Sequence, residues 1–277
     1  MQMKTTLLIA TYNWPEALRL VLESAFKQTV LPDEIVIADD GSGSETRTLI
    51  EEMTALSPVP IKHVWHEDKG FRLAMIRNKA VASSSGDYIL QIDGDCILSP
   101  HYVEDHLEMA KPGYFAGGRR VMLDERMTKE TIESGRLRLS PLRILFRKKG
   151  LRYLKNMIRI TFLRKAYSDF LTRKRDREKN VSVYGASFSF WKEDFIAVNG
   201  YDETMEGWGW EDSDINARLL NLGRKGTAIR FGGYSYHLFH RTRNTDNDPS
   251  DNPNYCLMME HIRDHVTRIE DGIDKYL

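Results

Sequence analysis

The sequence predicts an α/β protein with a mostly parallel central sheet, helices on its faces and a basic helical insertion. Three observations lead there. Short apolar runs alternate with stretches of helical periodicity through the first hundred residues. Strands and helices in strict alternation imply right-handed crossovers, hence parallel neighbours. One lysine- and arginine-rich segment then interrupts the second half of the chain. With 277 residues, 41% of them hydrophobic, the chain can bury one full core and needs no second domain.

Residues 5–10 read as a buried strand. Residues 16–28 place Leu18, Val21, Leu22 and Ala25 at helical spacing after an Asn13-Trp14-Pro15 start. Residues 34–38 form a second strand, and Asp39-Asp40-Gly41-Ser42-Gly43-Ser44 a loop that caps the next helix. Strand 61–65, helix 72–83, turn 84–87 and strand 88–92 complete the first half. Further on, 101–109 reads as helix and 114–121 as one strand kinked at Gly117-Gly118. Residues 181–191 read as strand, 192–198 as a short helix, 211–222 as a helix stopped by Gly223, and 227–231 as a late strand leading to His237 and His240. A C-terminal helix is expected over 261–277.

Composition narrows the function classes. No stretch approaches the roughly 18 apolar residues of a membrane span, and the N-terminal apolar run is too short for a signal-peptide core. A cytoplasmic location is the expectation. Two cysteines, Cys96 and Cys256, exclude a disulfide framework and make a thiol metal site unpromising. The net charge of zero conceals an asymmetry. Residues 136–179 hold 16 Lys/Arg against three acids, a local charge of +13, and the rest of the chain must balance it.

In open α/β sheets, ligands sit beyond the carboxyl ends of the strands. Tyr12, Asp40, His66, Asp93 and Asp95 all fall there. Asp40 could accept the imide N–H of a pyrimidine base with Tyr12 over the base face; equally, it could be a simple Asx-turn and helix cap. Asp93 and Asp95 are two apart on a strand end, so their carboxylates point the same way and repel unless a cation or donor lies between them. Magnesium or manganese, held with a substrate diphosphate, fits that pattern; a solvated Asp-Gly turn is the alternative. His237 and His240 follow the last strand, either as structural residues or as ligands to the same ion.

Glu211 and Asp212 open a helix, where acids also complement the dipole without any chemistry. The flanking Gly207-Trp208-Gly209-Trp210 favours function, since two tryptophans separated by glycine make a poor core unit and a good aromatic rim. One carboxylate there suffices for a direct displacement, removing the proton of an incoming hydroxyl. The two acidic clusters together suggest sugar transfer from a nucleotide diphosphate.

At these residues the chain resembles the family 2 glycosyltransferases. The matching pieces are Ala10-Thr11-Tyr12-Asn13, Gln28-Thr29, Asp39-Asp40-Gly41-Ser42, Arg77-Asn78-Lys79-Ala80, Gly86-Asp87-Tyr88, Asp93-Gly94-Asp95 and the C-terminal Trp210-Glu211-Asp212, which is similar to a motif of galactosyltransferases. The resemblance implies a GT-A fold, with residues 1–98 as nucleotide-binding half, 99–260 as acceptor half including the insertion 136–180, and a helix after 261. It implies a UDP-sugar donor and a Mn2+ or Mg2+ cofactor. The acceptor would be a glycan or lipid-linked hydroxyl, in synthesis of a cell-envelope polysaccharide or lipopolysaccharide.

By the same resemblance, Ala10, Tyr12 and Asp40 contact the base. Arg77, Asp93 and Gly94 lie by the donor phosphates and sugar. Asp95 and His237 bind the metal, Asp212 is the base, Glu211 holds hydroxyls, and Trp208 and Trp210 face the acceptor. The basic segment has no counterpart in the resemblance. It reads either as a contact for an anionic membrane surface, at the inner face of the cell membrane, or as a helical insertion packed on something else. A non-catalytic glycan- or nucleotide-binding protein on the same fold is the rival reading. Nucleic-acid binding led by the basic segment is disfavoured by the acidic remainder and the absence of a recognisable motif.

Overall fold

A computed structural model describes residues 3–139, 157–160, 186–241 and 248–277, with isolated helical positions at 145, 150, 154, 166 and 170. The main sheet has seven strands in the order β3-β2-β1-β4-β8-β6-β9. Strands β1 (Thr5–Thr11), β2 (Glu34–Asp39), β3 (Ile61–Trp65) and β4 (Tyr88–Asp93) are mutually parallel. β8 (Ser187–Trp191) runs antiparallel to β4 and to β6 (Tyr114–Gly117), and β9 (Lys225–Ala228) pairs in parallel with β6.

Helices cover both faces, which is why β1, β2 and most of β4 are buried throughout, with apolar runs at their centres instead of alternation. Leu7, Ile9, Ile35 and Ile37 face α1 (Pro15–Ala25) and α2 (Ser44–Leu56). Leu8, Ala10, Val36 and Ala38 face α3 (Leu73–Ser83) on the other side. The core there continues through α6 (Lys192–Ala197) and α7 (Glu211–Asn221).

A second, three-stranded sheet, β5 (Cys96–Leu98), β10 (Tyr234–His237) and β7 (Arg119–Met122), crosses beyond the end of β4. Its register sets His237 opposite Cys96, and the Leu238 N–H donates to the Asp95 carbonyl at 3.0 Å. This pairing, absent from any local pattern, brings the late histidines to the first acidic cluster.

Several expectations need correction. The single kinked strand over 114–121 is two strands in different sheets. They part at Gly118, where a Cβ would sit 2.1 Å from Ser187 Oγ and 2.5 Å from the Gly233 carbonyl. The strand expected over 227–231 lies earlier, as β9, and β10 is a separate strand that was not foreseen. α4 (Tyr102–Leu107) is shorter than expected, and both β5 and α5 (Glu125–Ser134) were not foreseen. α5 has ordinary signals nonetheless, with Asp124 accepting the Met127 N–H at 2.8 Å and Gly135 in the left-handed conformation.

The C-terminal helix lies at α8 (Pro253–Arg263), not over 261–277. Asn252 caps its start, and the chain leaves the helix at Asp264, ending in a 3-10 turn, Ile273–Tyr276. Within the basic segment, Leu154 and Met157 pack on the core and Ile158 is exposed, while Leu151 and Phe162 lie outside the described residues. Most of the basic segment, and residues 181–185 of the expected strand, also lie outside them.

Candidate active site

The parallel strands end on one side of the sheet, and the acidic residues gather there. Asp93 is the last residue of β4, while α3, packed behind it, carries Arg77 inward. Arg77 is 1% exposed, and its two terminal nitrogens join the two acidic clusters. Nη2 donates to Asp93 Oδ1 at 3.0 Å; Nη1 donates to Asp212 Oδ1 at 3.0 Å and to Glu211 Oε1 at 3.4 Å. The Tyr201 ring covers the guanidinium at 5.3 Å. Burial alone would weaken the charge, but Asp212, Tyr201, Asp93 and Glu211 hold Arg77 firmly protonated.

Three carboxylates around one buried cation leave excess negative charge, and its cost falls on the most buried acid. Burial, then the neighbouring Asp212, pushes Glu211 up to about 7 against the pull of Arg77. Glu211 Oε2 has no hydrogen-bond partner among the described residues. The side chains of Asp212 and Asp93 are 25% and 31% exposed, against 9% for Glu211, so those two face an incoming molecule. The Tyr201 hydroxyl lies 3.4 Å from Asp212 Oδ1 and is fixed by the Gln91 amide, whose Nε2 donates to it at 2.8 Å.

Asp95 sits just past Asp93, with His237 Nε2 at 3.5 Å and His240 Nε2 at 3.3 Å from its Oδ2. Both imidazoles therefore meet one carboxylate oxygen. Burial holds His237 below the ordinary imidazole range, so it is neutral and able to bind a metal. Its Nδ1 has no hydrogen-bond partner among the described residues.

The adjacent Cys96 thiol lies within reach of the same point, but burial pushes its pKa well up and keeps it protonated. A carboxylate oxygen with neutral imidazole nitrogen fits a divalent ion such as manganese. Gly94 serves packing here: its N–H donates to the Ala10 carbonyl at 2.6 Å, and a Cβ would stand 2.9 Å from that oxygen. The tight turn lets Asp93 and Asp95 sit over the end of β1.

The expected base-binding residues are present at the ends of β1 and β2. Tyr12 is exposed, and its hydroxyl donates to Asp68 Oδ2 at 2.8 Å. Asp40 is buried with both oxygens engaged: Oδ1 meets His66 Nε2 at 2.7 Å, and Oδ2 accepts the Arg72 N–H at 3.1 Å. A base N–H would have to use the lone pairs that remain.

Across the cleft, Trp208 is exposed, and Trp210 precedes α7 with a positive φ of 75°, unusual for a bulky residue. The N-terminus of α8 holds this loop. Asn252 donates to the Trp208 carbonyl, Asn254 donates to the carbonyls of Glu206 and Gly209, and Tyr255 packs edge-on against Trp210. Sequence reasoning did not single out Tyr201, Gln91 or Asn254. A glutamine inside the apolar run 88–92 was the one available signal, since a polar residue in a buried strand needs a partner.

The model of "Glycosyl transferase family 2" matches residues 6–182, and that of the "N-terminal domain of galactosyltransferase" matches residues 168–241. Validoxylamine A glucosyltransferase of Streptomyces hygroscopicus subsp. limoneus is 28% identical over 235 residues, 81% of this chain and 49% of that protein. The chain spans about half the length, or less, of the curated relatives it matches over most of its own length.

Among solved structures, a mannosyltransferase from Pyrobaculum calidifontis in complex with GDP-Man and Mn2+ superposes with a TM-score of 0.57 at 13% identity, covering 95% of this chain and 70% of that one. S. aureus TarS in complex with UDP gives 0.59 at 14%, covering 99% and 68%. The shared architecture is the GT-A fold.

Proposed function

The chain belongs to glycosyl transferase family 2, and from that premise we propose that it is a metal-dependent inverting transferase. It moves a sugar from a UDP-sugar to a hydroxyl of a glycan or lipid-linked acceptor, in synthesis of a cell-envelope polysaccharide. The observation that carries this reading is the single buried guanidinium shared by Asp93 and Asp212, which sets a leaving-group side and an acceptor side facing one cleft.

Asp212 is the base. The part-exposed carboxylate takes the proton of the acceptor hydroxyl while that oxygen attacks the anomeric carbon. The bond from that carbon to the diphosphate oxygen breaks, and UDP leaves on the opposite face. Glu211, its pKa pushed up to about 7 by burial, stands behind Asp212 with its unpartnered Oε2 enclosed, and backs the base instead of facing the sugar. Trp208 gives the acceptor ring an apolar face to stack on.

Asp95, His237 and His240 would hold Mn2+ or Mg2+, with manganese the better match to the imidazoles. The bound ion supplies Lewis-acid stabilisation of the departing diphosphate. Tyr12 stacks on the base and Asp40 accepts its N–H, with Asp40 oriented by His66.

The test is UDP release from a panel of UDP-sugars with Mn2+, with and without glycan acceptors. Asp212→Asn is expected to lower turnover by about 10³-fold or more while UDP binding survives. Near-normal turnover in that variant would show the base to be elsewhere. Binding of UDP with no turnover of any donor would favour the non-catalytic alternative.

A further inference from the structure

We infer that Arg77 is a positioning residue, a rigid spacer that fixes Asp212 relative to Asp93, and not a ligand of the donor diphosphate. The inference rests on the reading of Asp212 as the base. It departs from the expectation that Arg77 lies against the donor phosphates.

A phosphate-binding arginine needs donors directed at the cleft. Here Nη1 and Nη2 both point at carboxylates, at 3.0, 3.0 and 3.4 Å, the Tyr201 ring lies over the guanidinium, and the side chain is 1% exposed. Nε is buried as well. An anionic diphosphate reaching this guanidinium would first have to displace Asp93 or Asp212, which already neutralise it.

What the geometry does provide is a fixed separation. Asp93 closes β4 and Asp212 opens α7, two elements brought together only by the fold. The guanidinium is planar and holds Asp93 on Nη2 and Asp212, with the longer contact to Glu211, on Nη1, so Asp93 and Asp212 cannot move independently. Asp212 is further steadied by the Tyr201 hydroxyl, itself fixed by Gln91. Displacement at carbon depends steeply on the position of the base, and a shift of about 1 Å can cost on the order of 10²-fold in rate. Lysine keeps the charge but has one nitrogen, which cannot hold both carboxylates at these distances.

The experiment uses R77K, D212N and the double variant in the full chain. UDP binding with Mn2+ is measured by calorimetry, and UDP release is measured from whichever UDP-sugar the unaltered protein turns over. R77K is expected to bind UDP within about threefold of the unaltered protein and to lose roughly 10²-fold in kcat with little change in donor KM. The double variant should be no slower than D212N alone, because Arg77 acts through Asp212.

Tenfold or greater weakening of UDP binding by R77K, with kcat kept, overturns the inference and makes Arg77 a phosphate ligand. Losses that add in the double variant overturn it too. Normal turnover by D212N marks a different failure, that of the base assignment itself, and removes the route through which Arg77 acts. A melting temperature for each variant identifies loss of fold, and R77K keeps the buried cation that a neutral replacement would remove.

Discussion

Glu211 is the site acid whose environment departs from its ordinary chemistry. Its folded-state pKa of about 7 lies above that of an exposed glutamate, so the native state holds a proton that the unfolded chain has released. Stability therefore falls as pH rises from about 4.5 toward 7, by a few kcal/mol at most. Glu211→Gln should flatten that slope and be more stable than the unaltered protein at pH 8, with little difference at pH 5; urea unfolding at the two pH values checks this. At Asp95, replacement by Ala is expected to lower Mn2+ affinity by at least about tenfold, measured by calorimetry, with His240→Ala costing less because that imidazole is more exposed. Asp93 and Asp95 stood out in sequence because two carboxylates at a strand end repel without a cation or donor between them, and Glu211 and Asp212 because glycine-spaced tryptophans flank them. The partners of Arg77 were not, since they lie 16 to 135 residues away and only the fold brings them together.

At the scale of elements, β1 to β4 were readable as short apolar runs, and the helices between them from the apolar stripe that each buries. β5 is three residues long and β9 and β10 four each, too short for a period to declare itself, and β9 pairs with β6 and β10 with β5 and β7, strands distant in sequence. The junction of α7 and α8 rests on a buried polar triad. Asp214 is fully buried between Arg218 and His261, each at 2.7 Å. Burial alone would raise the Asp214 pKa, but His261 and Arg218 hold it below the carboxylate range, and the same hydrogen bond raises His261. A raised histidine stabilises fully below its unfolded pKa, and that stability is lost as pH climbs through its folded value. His261→Gln should thus destabilise by about 1 kcal/mol or less near pH 5.5 and almost nothing near pH 8.5, since the ring is only partly buried. Thermal unfolding at both pH values is the measurement; an equal loss at both would mean that packing, not charge, is what the ring contributes. Because α8 also holds the Trp208 loop through Asn254, Asn254→Ala should raise acceptor KM by severalfold while donor KM stays put.

Taken whole, the molecule is an acidic body with a basic insertion, and that asymmetry was plain from composition. No helix among the described residues is long and apolar enough to cross a membrane. The insertion is rooted in the body: Arg159 pairs with the buried Asp105 at 3.0 Å and with Glu104, and Leu154 and Met157 pack on the core. If its remaining charges meet an anionic lipid surface, the protein should sediment with phosphatidylglycerol vesicles at low salt and be released at about 0.5 M salt, where the Debye length is a few Å. Replacing Arg147, Lys148 and Lys149 by Glu should abolish that binding, and sedimentation unchanged by the substitutions would exclude the insertion as the contact. The 3-10 turn at Ile273–Tyr276 has a consequence of another kind. Ile273 is buried in the α3 core, and Tyr276 reaches Glu203, which holds Asn78 beside Arg77. During synthesis α3 leaves the ribosome nearly two hundred residues before the segment that covers it. The helix bearing the central arginine rests first on β1, β2 and β3, and gains this cover only once that later segment has been made.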